Sequence, residues 1–224
     1  MTVRGGVGIF GGTFNPIHLG HLRAAEEVRE AEALDEMRFV PAALPPHKEA
    51  GALVSAAHRL RMVECAITGV PGFRAAPLEL ERAGASYSVD TLRVVRGELG
   101  PTGRLVFVLG RDAFRDFHTW REPEAIFALC DVVVVSRPPA TDPLAADEIP
   151  VAAREAFCYD PTSEWFRHRS GHVLKLQRIT ALDISAATIR ARLAARRSIR
   201  FLVPSAVEGY IAEHGLYRQG DPAR

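Results

Sequence analysis

Four consecutive valines, Val132-Val133-Val134-Val135, form an apolar run with no polar residue alternating within it. Such a strand cannot present one face to water, so both faces must be covered, as happens in the middle of a parallel sheet. Runs of similar length stand at Val7–Phe10, Met37–Val40, Arg74–Pro77, Leu105–Leu109 and Val173–Leu176. Helical patterns fill the intervals at Leu19–Ala31, His58–Thr68, Ser88–Leu99 and Glu122–Leu129, and again at Ser185–Ala195 and Ser205–His214. The alternation predicts an α/β chain: a Rossmann-like doubly wound parallel sheet with helices on both faces and right-handed crossovers. In that architecture ligands bind beyond the carboxyl ends of the strands, where the strand order reverses.

The 224 residues fit one such domain, spanning 1–224, with a long excursion at about 138–172 and a helical C-terminal part at about 183–217. The excursion, rich in Pro, Ala and acidic residues, is read as a loop with one short helix, Val151–Phe157. A net charge of +1 gives no global field toward nucleic acid or anionic membrane. Arg190, Arg192, Arg196, Arg197 and Arg200 read as a solvated helix face, with Arg190 set apart. Cys65, Cys130 and Cys158 are too widely spaced for a zinc site or a disulfide framework, and buried free thiols are expected. No apolar run reaches the roughly 18 residues of a membrane span, and the first strand begins too early to leave room for a signal peptide. These features together predict a cytoplasmic location.

The chemistry-bearing residues follow the strand ends. Gly11-Gly12-Thr13-Phe14-Asn15-Pro16-Ile17-His18-Leu19-Gly20-His21 comes directly after the first strand. Glycines there let backbone N–H groups approach a phosphate, and the helix start adds unpaired donors and the positive end of its dipole. His18 and His21 are three apart and share a helical face. A glycine pair alone is commonly a tight turn and a lone histidine commonly structural; their combination in a strand–turn–helix setting points to nucleotide chemistry. Neither the dinucleotide fingerprint nor the P-loop pattern is present. Pro45-Pro46-His47-Lys48 follows the second strand, Gly110-Arg111-Asp112 the fourth and Arg137 the fifth.

Gly11–His21 resembles the (His/Thr)-x-Gly-His motif of a nucleotidyltransferase superfamily, and in particular its nicotinate-nucleotide adenylyltransferase branch. Further stretches occur in that family's order: Pro45–Lys48, Ser86–Leu92, Gly110–Asp112, Thr119-Trp120, Ser136–Pro138, Ile184–Arg190 and Phe201–Pro204, continuing to Tyr210-Ile211 and Gly215-Leu216-Tyr217. The resemblance implies transfer of AMP from ATP to nicotinate mononucleotide, with magnesium as the counter-ion of ATP and no metal site built from protein carboxylates. It implies catalytic roles for His18, His21, Lys48 and Arg190, with the imidazoles and cations neutralising charge on the phosphates. Gly11, Gly12, Thr13, Phe14, Gly110, Asp112, Arg137 and Ser185 are expected at the nucleotide. Tyr87, Ser88, Thr119 and Trp120 are expected at the acceptor, Trp120 stacking on its pyridine ring. Ser185 also reads as the N-cap of the helix that carries Arg190. One departure concerns Ala186 and Ala187, which occupy positions where the family carries Ser and Thr. Thr188, about 100° further round the helix, is not expected to replace the lost hydroxyl.

In such a reaction the nucleophile is already an anion, so alignment and charge neutralisation suffice without a strong base. The competing readings keep the chemistry and change the acceptor, to nicotinamide mononucleotide or another phosphate, or make the chain a nucleotide sensor without turnover. A fragment of a class I synthetase lacks its Lys-Met-Ser-Lys-Ser loop here. A homo-oligomeric state is left open.

Overall fold

The computed structural model describes residues 5–43, 53–82, 84, 86–136, 142–180 and 182–218. Eight strands form one sheet: β1 (Val7–Gly12), β2 (Glu36–Pro41), β3 (Phe73–Ala75), β4 (Leu105–Gly110), β5 (Asp131–Ser136), β6 (Phe157–Asp160), β7 (Trp165–His168) and β8 (Val173–Arg178). Their order is β3-β2-β1-β4-β5-β8-β7-β6. The first six in that order are parallel, and β7 and β6 pair antiparallel beyond β8. The order runs outward in opposite directions from β1 and β4, so the switch point lies between these neighbours.

Alternate residues of the central strands go to opposite faces, and both faces are covered. On one face Val7, Ile9, Leu105, Phe107, Leu109, Val132 and Val134 pack against α3 (Ser88–Leu99) and α5 (Pro123–Leu129). On the other, Phe10, Phe39, Val106, Val108, Val133 and Val135 pack against α1 (Leu19–Ala31), α2 (Ala56–Ile67), α7 (Ala186–Ala194) and α8 (Ser205–Glu213). The four valines of β5 are all buried, as their lack of alternation requires. At about 1.5–3 kcal/mol for each fully buried large apolar side chain, this double coverage is the main attraction holding the sheet and helices together.

Within the excursion, residues 142–172 are more ordered than the sequence reading allowed. Its helix, α6, is confined to Val151–Arg154, and Phe157 begins a strand instead of ending a helix. Phe157–Asp160 and Trp165–His168 form a hairpin that extends the sheet, its turn closed by Asp160, which accepts from the Thr162 N–H and the Ser163 hydroxyl. Arg111, in the short helix α4 (Arg111–Arg115), anchors the beginning of this region. Its guanidinium makes two bonds to Glu148, at 2.9 and 2.6 Å, and donates to the carbonyls of Asp142 and Pro143. The thiols also differ from expectation: Cys130 is buried, Cys65 half-buried and Cys158 exposed on β6. Among the described residues no helix is long and apolar enough to cross a membrane.

Candidate active site

The turn between β1 and α1 is shaped from within. Phe14 has φ of 48°, the left-handed region that a bulky side chain enters rarely. Its ring is buried and meets the rings of Phe10, Phe39 and His21, so core packing offsets the backbone cost. That placement requires a glycine at 12, because a Cβ there would lie 2.9 Å from the Phe14 ring. Gly11 is different: it is exposed, and a Cβ would meet nothing closer than 3.8 Å. The protein's own packing does not demand a glycine at that position. The Asn15–Pro16 peptide is cis.

His18 is the N-cap of α1 and His21 lies one turn on. Their rings stack with centroids 3.6 Å apart, and the His18 N–H donates to His21 Nδ1 at 3.3 Å. A ring nitrogen that accepts cannot carry the proton, so neutral His21 bears its proton on Nε2, a donor. The His21 edge is further held by Phe10 and Phe14.

Helix α7 starts beside this pair. The Ile184 carbonyl lies 3.7 Å from where a Cβ on Gly20 would stand. Ser185 is the N-cap, accepting from the Thr188 N–H at 3.1 Å, as its position predicted. The Thr188 hydroxyl lies 2.9 Å from Ser185 Oγ. Arg190 reaches back and donates from Nη1 to the Asn15 carbonyl at 2.9 Å. Arg196, Arg197 and Arg200 are exposed, and Arg192 donates to the Ser198 carbonyl.

Gly110 ends β4, next to β1 across the switch point, and caps α4. Asp112 in that helix has a side chain 94% exposed, with Arg115 3.5 Å away. Tyr87 and Ser88 stand at the start of α3. The Arg121 guanidinium lies 4.8 Å over the Tyr87 ring, which brings the Thr119-Trp120 segment to that helix start. The half-buried Trp120 ring packs on Phe117 and Phe107, and Thr119 Oγ1 donates to the Asp116 carbonyl. His47, Lys48 and Arg137 lie outside the described residues.

A buried polar layer lies beneath the turn, and sequence reasoning assigned it no role. Arg59 is fully buried in α2 and donates to three carbonyls: Thr13 at 2.9 Å, Ala43 at 3.0 Å and Val54 at 3.2 Å. Burial pulls its guanidinium downward in pKa, yet an arginine stays charged in proteins. Burial pushes the Glu79 carboxyl up, opposed by hydrogen bonds from Thr91 and the Ala43 N–H and by Arg82, whose guanidinium also bonds Thr91. Asn15 is buried and accepts on Oδ1 from the Tyr217 hydroxyl at 2.8 Å and the Val54 N–H at 3.4 Å. One signal was available: Arg59 shares the apolar stripe of Met62, Val63 and Ala66, where a cation is out of place.

The described sheet thus gathers Gly11–Thr13, His18, His21, Ser185 and Arg190 at the carboxyl end of β1, and Gly110 at the adjoining end of β4. Tyr87 and Trp120 form a second group, joined through Arg121. Among the described residues no group of three His, Cys, Asp or Glu is placed to hold a metal ion.

Comparison with known proteins agrees with this arrangement. Residues 9–192 match the cytidylyltransferase-like family. A curated relative from Citrifermentans bemidjiense, named "Probable nicotinate-nucleotide adenylyltransferase", is 48% identical over 94% of this chain and 97% of its own length. A namesake from Syntrophotalea carbinolica is 49% identical over 95% of this chain and 97% of its own. The solved Plasmodium falciparum nicotinic acid mononucleotide adenylyltransferase, complexed with NaAD, superposes with a TM-score of 0.71 at 19% identity, covering 94% of this chain and 96% of that one. That structural likeness establishes a shared fold, and the sequence relatives settle kinship: this chain belongs to the nicotinate-nucleotide adenylyltransferase family.

Proposed function

We propose that the protein transfers AMP from ATP to nicotinate mononucleotide, giving nicotinate adenine dinucleotide and pyrophosphate for NAD biosynthesis. The observation that carries this reading is the stacked His18–His21 pair at the head of α1, beside Gly11 and the α7 N-terminus, in a chain with curated relatives of that name. In the reaction a phosphate oxygen of the mononucleotide attacks the α-phosphorus of ATP. A new P–O bond forms as the bond to the pyrophosphate oxygen breaks, and no proton needs removing from the nucleophile.

The chain's task is to hold the two anions in line and spread the developing charge. His21 Nε2–H is assigned to an α-phosphate oxygen, with His18 completing the pair. Backbone N–H groups at Gly11–Phe14 and at the start of α7 supply further donors, joined by Ser185 and Arg190. Lys48 is assigned to the β- and γ-phosphates, and Arg137, Gly110 and Asp112 to the adenosine side. Thr119, Trp120, Tyr87 and Ser88 are assigned to the nicotinate mononucleotide. Trp120 is only half-buried, which leaves part of its indole available to a ligand.

ATP is read as its magnesium complex. Bound in that form, the ion would take its ligands from phosphate oxygens and water and would offset their charge. We further read 1–224 as one nucleotidyltransferase unit, supported by the continuous sheet, and as cytoplasmic, supported by its three unpaired cysteines.

Pyrophosphate release with ATP and each mononucleotide tests the reading. Turnover is expected with nicotinate mononucleotide in preference to the amide, and His21→Ala is expected to lose on the order of 10²–10³ in kcat. ATP binding without product, or a preference for nicotinamide mononucleotide, overturns it.

A further inference from the structure

Asn15 lies two residues after Thr13 and three before His18, and three distant parts of the chain converge on it. Tyr217, beyond α8, donates its hydroxyl to Asn15 Oδ1 at 2.8 Å. The Val54 N–H, just before α2, approaches the same oxygen at 3.4 Å. Arg190 in α7 donates to the Asn15 carbonyl at 2.9 Å. An amide oxygen takes two donors without carrying charge, so it serves as a neutral tie. The turn has reason to need one: Phe14, immediately before, sits at a positive φ, a conformation that persists only when its surroundings enforce it.

We propose that Tyr217 is a positioning residue for the reaction, acting through Asn15 to fix the turn from Thr13 to His18 under the phosphates. The inference rests on the reaction proposed above. Tyr217 touches no reacting group in this scheme; its hydroxyl restrains the backbone that presents them. A restraint of this kind is felt most when the nucleophile, α-phosphorus and leaving oxygen must lie in line. Its loss therefore falls on kcat more than on the KM for ATP.

The test compares the wild-type enzyme with Tyr217→Phe, Asn15→Ala and the double variant, assayed with ATP and nicotinate mononucleotide well below their melting temperatures. Tyr217→Phe removes one hydroxyl and is expected to lower kcat roughly three- to tenfold, as a neutral hydrogen bond of ordinary strength converts to rate, with little change in KM. Asn15→Ala is expected to lower kcat further and to abolish the effect of Tyr217→Phe, because the two act as one unit. A Tyr217→Phe enzyme that melts earlier but keeps its wild-type kcat overturns the inference, as do losses that multiply in the double variant. Should Asn15→Ala fail to fold, the kcat of Tyr217→Phe alone decides. Absence of wild-type turnover defeats the reaction itself, whereas intact wild-type turnover with an unaltered Tyr217→Phe enzyme defeats only the present inference.

Discussion

A methyl group added at Gly12 stands 2.9 Å from the Phe14 ring, whereas one added at Gly11 stands no closer than 3.8 Å to any neighbour. The two substitutions should therefore separate folding from binding. Gly12→Ala is expected to lose about 1–3 kcal/mol of stability through overpacking, read as a lower urea midpoint. Gly11→Ala is expected to melt like the wild type but to bind ATP less tightly, measured by calorimetry, because the methyl intrudes only on the ligand. Glu79 gives a residue-scale pH prediction. Burial raises its folded pKa above the unfolded value of about 4.3, so the fold holds that proton more firmly. Its contribution is fully present below the unfolded value and is lost as pH rises through the folded one. Glu79→Gln should remove this downward slope of stability with pH while keeping an acceptor for Thr91. The histidine pair and the glycines were legible because they fall within one stretch of eleven residues, Gly11–His21. Asn15 and Tyr217 stood in the recognised stretches without a role, and Arg59 in none, since what they do comes from partners 39, 46 and 202 residues away.

Among the elements, six strands and six helices were legible from apolar runs and periodicity, although for the three-residue β3 the run Arg74–Pro77 met only Arg74 and Ala75 of Phe73–Ala75. The hairpin of β6 and β7 was not. Its strands are four residues each and mix exposed with buried positions, so neither alternation nor a continuous apolar run develops. The cue that remained was the turn chemistry of Asp160-Pro161-Thr162-Ser163 between aromatic residues. Arg111 ties α4 to the first described part of this region, and Arg111→Ala should expose what that link contributes. Losing the two-pronged bond to Glu148 and two carbonyl contacts is expected to cost about 3 kcal/mol, with hydrogen-exchange protection lost first around 142–154. Arg111→Lys should recover only part of this, since an ammonium cannot reproduce the paired geometry.

For the molecule as a whole, acid should weaken the fold in two stages. Burial holds the His168 imidazole below its ordinary pKa, helped by the charges of Arg169 and His172. The stability of that neutral ring is complete above the unfolded value of about 6.5 and is lost as pH falls through the folded one. The second stage belongs to Asp131 and Glu148. Burial raises both, but His172, Val173 and Arg104 around Asp131, and Arg111 and Ala145 around Glu148, bring each carboxyl below its usual range. Their contribution is present above pH about 4 and disappears below it. Urea midpoints followed from pH 8 to 3 should show both stages, the upper one flattened in His168→Gln. The doubly wound sheet itself followed from strand order and burial pattern, whereas its mixed edge did not. The contact between Asn15 and Tyr217 has a consequence for synthesis. At about 5–20 residues per second, a ribosome needs roughly 10–40 s to traverse the 202 positions between them. Throughout that interval the nascent polypeptide has Asn15 without the phenol that bonds to it in the finished fold. On the inference above, the full turnover rate is reached only after Tyr217 has emerged and closed on Asn15.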